Sequence, residues 1–307
     1  MTTPTEGTPA GNLPPGGVHA EDLLLAVMHD ADEPKPGNPI HSTDGARDFG
    51  FRAALVGGVT VYGWTVRTIV RALGDRWLHD GWAHLRFRKP VYPGDALRVR
   101  VLASGAFEIA RLNSVGIQGA VGSEGTGGVD GAASAVAEPC IDGEVGLGTA
   151  SWLAALQWPN NLRPSQRAAD APRLVPAIVP IGRSLAARAT TLTAAEAITF
   201  AIEKERETDP RFVGAQPLAH PAWLATQPIQ LLHHSFDYGP AIHAESHIQH
   251  LAPAPVDAQW IVAGNCVDAY ERKGHHYMVN DCLLQADGRD VARIRHTVIY
   301  QVARRGA

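Results

Sequence analysis

Gly37-Asn38-Pro39-Ile40-His41 forms a polar turn, and an amphipathic stretch follows it down to Leu55-Val56-Gly57-Gly58-Val59. Further on comes a strand-like run, His84-Leu85-Arg86-Phe87-Arg88-Lys89-Pro90-Val91-Tyr92-Pro93-Gly94-Asp95, which closes on a proline–glycine turn. Between the two, Val59 to Leu73 is apolar with small residues at its head, the pattern of a helix that packs against a sheet. The fold reading rests on this order of polar turn, helix and Arg-rich strand.

The second half of the chain repeats that order. At an offset of about 163 residues, His84, Leu85 and Pro90 fall on His247, Ile248 and Pro253. Val56-Gly57-Gly58 falls on Ala219-His220-Pro221, and Ala222-Trp223-Leu224 through Leu232 then matches the first helical run. Asn38-Pro39 has a counterpart in Asp209-Pro210, which stands about eight residues nearer its helix. Shared order and spacing point to an internal duplication.

Each half also carries strand signals. Ala258 to Ala269 is rich in β-formers, and Gly274 and Asp287-Gly288 separate two more strands, Tyr277 to Gln285 and Val291 to Val302. Arg293, Arg295 and Thr297 alternate with Ile294, His296 and Val298, as in a half-buried strand. Leu97 to Val101 alternates in the same way, and a glycine-rich insertion, Gly122 to Gly131, interrupts the hairpin after it. The expected class is α+β, with one long helix against an antiparallel sheet in each half. The expected boundaries are a disordered leader at 1–17, a first domain at 18–142, a connection at 143–172 and a second domain at 173–307.

Length and composition agree with two units. A chain of 307 residues suits two cores better than one. A net charge of -4 gives no basic field for nucleic acid. Cys140, Cys266 and Cys282 are odd in number and widely spaced, which argues for a reducing, cytoplasmic setting rather than a disulfide framework. The Thr/Pro/Gly-rich start lacks the basic and apolar regions of a signal peptide, and no apolar run is long enough to span a membrane.

The Asn-Pro-x-His turn, the Gly57-Gly58 helix start and the strand closing on Pro93-Gly94-Asp95 together resemble the MaoC-type acyl hydratase/dehydratase family. That resemblance implies a double hot-dog fold: two antiparallel sheets, each wrapping a central helix, paired as a pseudo-dimer within one chain. It also implies reversible hydration of 2-enoyl thioesters, or dehydration of 3-hydroxyacyl thioesters, with no metal or other cofactor. The substrate would be carried on coenzyme A or an acyl carrier protein, and the chain would form a homodimer. Acyl-thioester hydrolysis, and a degenerate binding or scaffold protein, are the alternatives.

In that family the turn carries an Asp, then Asn-Pro, then His. Asp and His hold the water, and an amide at the helix start receives the thioester oxygen. Asn38, Pro39 and His41 match this pattern, and Gly57 or Gly58 matches the amide position. The Asp does not match, because position 36 is Pro. Asp32, Glu33, Asp44 and Asp48 are nearby carboxylates, and Asp44 lies one helical turn past His41 if Ser42 opens a helix. Capping is the alternative role for Ser42-Thr43-Asp44. The expected catalytic residues are therefore His41, Asp44 and Asn38. Gly57, Gly58, Tyr62, Arg86 and Arg88 are the expected substrate contacts, the two arginines as donors to phosphate or pantetheine oxygens or as a solvated strand face.

The second half departs differently, with Glu207 near the family's Asp position and Phe212 in place of its His. This favours the first half as the active one, with a composite of His41 and Glu207 as a remoter option. Histidines cluster at His220, His233, His234, His243, His247 and His250. His243, Glu245 and His247 would share one strand face at spacing two, a set able to hold a metal. His84 repeats His247 without the other ligands, so a groove-lining or solvated strand face is preferred and no metal is expected.

Overall fold

Alternation along the chain translates directly into strands. The computed structural model describes residues 17–28, 31, 38–112 and 137–303. Residues 1–16 of the leader, Pro36 with Asp32 and Glu33, and the Gly122–Gly131 insertion lie outside the described residues. The first half contributes β1 (Val18–Leu25), β2 (Gly81–Phe87), β3 (Ala96–Leu102), β4 (Ala106–Leu112) and β5 (Ala137–Leu147). In β3, Leu97, Val99 and Val101 are buried and their neighbours are half-buried, as a pleat with one core-facing side requires. The second half contributes β6 (Arg188–Leu192), β7 (Ile242–His250), β8 (Ala258–Arg272), β9 (His275–Ala286) and β10 (Arg289–Gln301).

All ten strands form one antiparallel sheet in the order β1-β3-β4-β5-β2-β7-β10-β9-β8-β6. From each outer edge inward the two halves follow the same order, so β1, β3, β4, β5 and β2 correspond to β6, β8, β9, β10 and β7. The halves meet where β2 pairs with β7, with Trp82 opposite Gln249, His84 opposite His247 and Arg86 opposite Glu245. His84 therefore faces its own repeat counterpart and marks the pseudo-twofold axis. The expected two sheets are continuous through this junction, since their inner edges hydrogen-bond to each other, and among the described strands β1 and β6 are the edges.

Among the described residues, two main helical segments and four shorter α-helices accompany the sheet. α1 (Thr43–Arg47) opens behind the polar turn, and α2 (Gly58–Gly63) and α3 (Val66–Leu73) make the first central segment, followed by α4 (Trp77–Asp80). One long helix was expected here. The ladder is interrupted because the Thr65 hydroxyl and amide both bond the Tyr62 carbonyl, while Trp64 and Thr65 keep right-handed helical dihedrals. The second half has α5 (Ala194–Glu203), α6 (Pro210–Val213) and an unbroken α7 (Pro221–Ser235) with Pro at its first position. α2 touches α7 across the junction, α3 packs on β1 and β3, and α7 packs on β8, β9 and β10. Ile69, Trp77, Leu97, Leu231 and Trp260 belong to one continuous buried core that spans both halves.

β5 runs to Leu147, beyond residue 142, and β6 begins only at Arg188. Part of the connecting segment covers the outer face of the second half's sheet. Arg293 donates to the carbonyls of Leu156 and Gln157, and its guanidinium lies 4.0 Å from the Trp158 ring centroid. Asp281 accepts from the Gln157 amide and from Arg295. Arg293 is therefore buried under chain, at 3% exposed, while Arg295 beside it remains partly exposed.

Candidate functional site

The polar turn leads into α1 through Ser42, whose hydroxyl oxygen accepts from the Gly45 amide and caps the helix. That turn and the start of α2 form one wall of a cavity of about 440 Å³, within the range of small-molecule sites. Asn38, Ile40, His41, Gly57 and Gly58 line it from the first half, with Phe87 at the end of β2 and Arg88 to Val91 after it. Ile229 and His233 of α7, Tyr238, the start of β7, Tyr277 of β9 and His296 of β10 close it from the second half. The cavity is thus built between the halves.

His41 Nδ1 lies 2.7 Å from the Leu55 carbonyl oxygen. A carbonyl can only accept, so Nδ1 carries the proton in this bond. The ring faces the head of α2, where a Cβ on Gly57 would stand 3.8 Å from His41 Cε1. Gly57 is the N-cap and offers no side chain to the helix, so no side chain caps the first-turn amides. Gly58 packs so closely on Phe87 that an added Cβ would lie 2.7 Å from the ring.

Asn38 is held by the other half. Its carboxamide donates to the Ala241 carbonyl oxygen at 3.0 Å and accepts from the Ala241 amide at 3.1 Å. This double bond to backbone orients the turn rather than leaving the amide to a substrate.

Other expected residues lie elsewhere. Asp44 does not reach the cavity, because its side chain is 96% exposed on α1 and pairs with Arg47. Asp48 is exposed as well. Tyr62 faces the core, not the cavity, and burial raises its phenol above the ordinary range, with the nearby Glu205 adding to the shift. Arg86 also misses the cavity, since alternation along β2 sends it to the sheet's other face, where it pairs with Asp142 at 2.6 Å. Arg88 does line the cavity, and Asp142 holds it too.

The second half shows why its own copy of the site is closed. His220, the counterpart of Gly57, is the N-cap of α7, and its Nδ1 accepts from the Ala222 amide at 3.2 Å. Its ring lies edge-on to Phe212 at 4.7 Å, where the first half has Gly57 beside His41. Glu207 Oε2 is 3.9 Å from His220 Nε2, and both are buried outside the cavity, which removes the composite of His41 with Glu207. Burial lowers the His220 pKa, and Glu207 only partly offsets that shift.

A β-bulge re-sorts the histidines. Glu245 pairs with Thr297 but His243 pairs with Val298, so Ala244 is the extra residue. His243 therefore turns into the cavity while Glu245 and His247 stay on the opposite face, and the expected His243, Glu245, His247 face does not form. In the cavity, His243 and His296 stand 4.4 Å apart. His243 Nδ1, both nitrogens of His296 and the Tyr238 hydroxyl are buried without a protein partner. Burial holds His243 well below its ordinary value and His296 down to about 3, so both are neutral. The alternation of His296 with Arg295 was visible in the sequence, but the cavity it enters was not.

These features define a double hot-dog protein with a cavity at the junction of its halves. Residues 37–122 match the family model of the MaoC like domain. No curated protein matches the chain. Among solved structures, a MaoC-like dehydratase aligns at 13% identity over 92% of this chain and 98% of its own, with a TM-score of 0.54. A MaoC domain protein of Chloroflexus aurantiacus aligns at 13% identity over 98% and 100%, with a TM-score of 0.57. A conserved hypothetical protein of Mycobacterium tuberculosis, described as a double hot-dog fold, aligns at 13% identity over 94% and 97%, with a TM-score of 0.55. The MaoC-like resemblance thus holds for the first half, and the double hot-dog fold holds for the whole chain.

Proposed function

We propose that the chain binds an acyl thioester in the inter-half cavity and adds water to, or removes it from, the 2-enoyl/3-hydroxyacyl pair. His41 beside Gly57 carries this reading. An imidazole held in place through Nδ1 is a group able to take and return a proton as a general acid/base. The amides at the head of α2 are then the donors for the thioester oxygen as it gains enolate charge. Asn38 positions the turn, and Arg88, which lines the cavity, is a donor available to a carrier phosphate. His243, His296 and Tyr238 favour an acyl group with a hydrogen-bonding substituent, because a plain alkyl chain leaves their buried polar atoms unpaired.

The carrier is coenzyme A or an acyl carrier protein. The homodimer and the cytoplasmic setting belong to the same reading. Two observations fit that setting: all three cysteines are unpaired and buried, and no helix among the described residues is long and apolar enough to cross a membrane.

One observation favours a second reading, an acyl-thioester-binding protein. No Asp or Glu is present among the described residues that line the cavity. Mass spectrometry of a panel of enoyl- and 3-hydroxyacyl-CoAs, with free thiol assayed in parallel, separates the cases. A gain or loss of water supports hydration, thiol release supports hydrolysis, and tight binding without turnover supports the second reading.

A further inference from the structure

On the sheet face away from the cavity, the pseudo-twofold axis gathers three side chains with nitrogen and oxygen donors. His84 of β2 stacks on His247 of β7 with ring centroids 3.9 Å apart and planes 14° from parallel. His84 Nε2 is 2.6 Å from Glu245 Oε1. One donor atom from each of His84, Glu245 and His247 lies within 4.8 Å of the others. We propose that these three residues bind a first-row divalent cation, zinc foremost, as a clip between the two halves.

The donor set suits that ion. Two imidazoles and a carboxylate are ligands zinc accepts, with remaining positions left to water. In a tetrahedral zinc site the donor atoms stand about 3.3 Å apart, given bonds of about 2.0–2.1 Å. Reaching that arrangement requires the two rings to rotate out of their stack so that their in-plane lone pairs converge, the His84–Glu245 contact to widen from 2.6 Å, and the wider pairs, within 4.8 Å, to draw in by up to roughly 1.5 Å. His247 Nδ1 is buried and has no protein partner, so the ring is not committed on that side. Burial, reinforced by His84, lowers the His247 pKa to about 4, which keeps a lone pair available at neutral pH. The bond from His84 holds Glu245 below the usual carboxylate range, so it is ionised.

The surroundings do not oppose a cation. Arg86 and Arg295 flank the cluster, but Asp142 and Asp281 engage them at 2.6 Å. The Trp152 ring covers His247 edge-on at 5.0 Å and shields one side. A lone His or Glu on a sheet face has no such convergence. It arises here because β2 and β7 place one histidine from each half opposite the other.

The test uses tag-free full-length protein, stripped with a chelator. It is titrated with Zn²⁺ against a chromophoric competitor, and with Co²⁺ while the visible d–d bands are followed. The expected result is one ion per chain and a raised melting temperature with Zn²⁺. Both should be lost in the His84→Ala/His247→Ala double variant, while the exposed His79→Ala behaves as the parent. Glu245→Gln, at the rim, should weaken binding at least as much as the about 10–100-fold that loss of an outer-shell partner costs. Far-UV circular dichroism reports whether each variant folds, and Glu245→Gln alone decides the case if the double variant does not. Absence of a bound ion, or a bound ion that survives Glu245→Gln unchanged, overturns the proposal.

Discussion

Asn38 in the first half grips the backbone of Ala241 in the second, donating to its carbonyl at 3.0 Å and accepting from its amide at 3.1 Å. The turn that carries His41 is therefore aligned by the opposite half. Asn38→Ala leaves both backbone groups of Ala241 short of a partner in a partly buried place, at a cost of about 1–3 kcal/mol. We expect a lower melting temperature, and weaker thioester binding, with Asn38→Asp intermediate because it retains only the acceptor. An unchanged melting temperature in Asn38→Ala would remove the clamp.

His41→Ala should lower turnover by about 10²–10⁴-fold, the contribution of one positioned acid/base, with a melting temperature close to that of the parent. Asp44→Asn should leave turnover unaltered, since its side chain is 96% exposed. Steady-state rates on the responsive member of the thioester panel check both variants. Equal losses in the two would return Asp44 to the site.

The adjacent glycines should respond differently to the same change. Gly58→Ala puts a methyl group 2.7 Å from Phe87, so ring or helix must shift, costing about 1–3 kcal/mol. Gly57→Ala meets His41 at 3.8 Å, an ordinary contact, and should be tolerated by the fold while narrowing the cavity beside the imidazole. Chemical denaturation separates the two, and a Phe87→Leu background should partly rescue Gly58→Ala.

Stability should fall as pH rises from mildly acid to alkaline. Glu205 lies 4% exposed against Gly63, and burial, with Glu207 adding to it, pushes its carboxyl up to about 9. Its folded value stands above the unfolded one, so its contribution is complete below the ordinary carboxylate range. That contribution is lost as pH rises through about 9. Between those limits the unfolded chain binds fewer protons, which gives a slope of about -1.4 kcal/mol per pH unit for one such group. Glu205→Gln mimics the protonated acid and should flatten this slope, so that the variant gains on the parent at pH near 8. Urea unfolding at several pH values checks it, and parallel slopes in parent and variant would place Glu205 in its ordinary range.

Much of the architecture is local and could be read from residue order. Period-two alternation in Leu97–Val101 and Val291–Val302, apolar helical runs after Gly57-Gly58 and His220-Pro221, and the His84/His247 repeat come from side-chain chemistry at fixed spacing. These features determined two equivalent α+β halves, the turn that carries His41 and the family it resembles. Which face a side chain takes was decided by tertiary structure. A single extra residue at Ala244 turned His243 inward, away from Glu245 and His247. Pairing of β2 with β7 joined His84 to Glu245, a contact between residues 161 positions apart. The connecting segment buried Arg293 of β10, which alternation alone assigns to the outer face. Pairing partners, bulges and covering segments depend on contacts distant in sequence, and no local period encodes them.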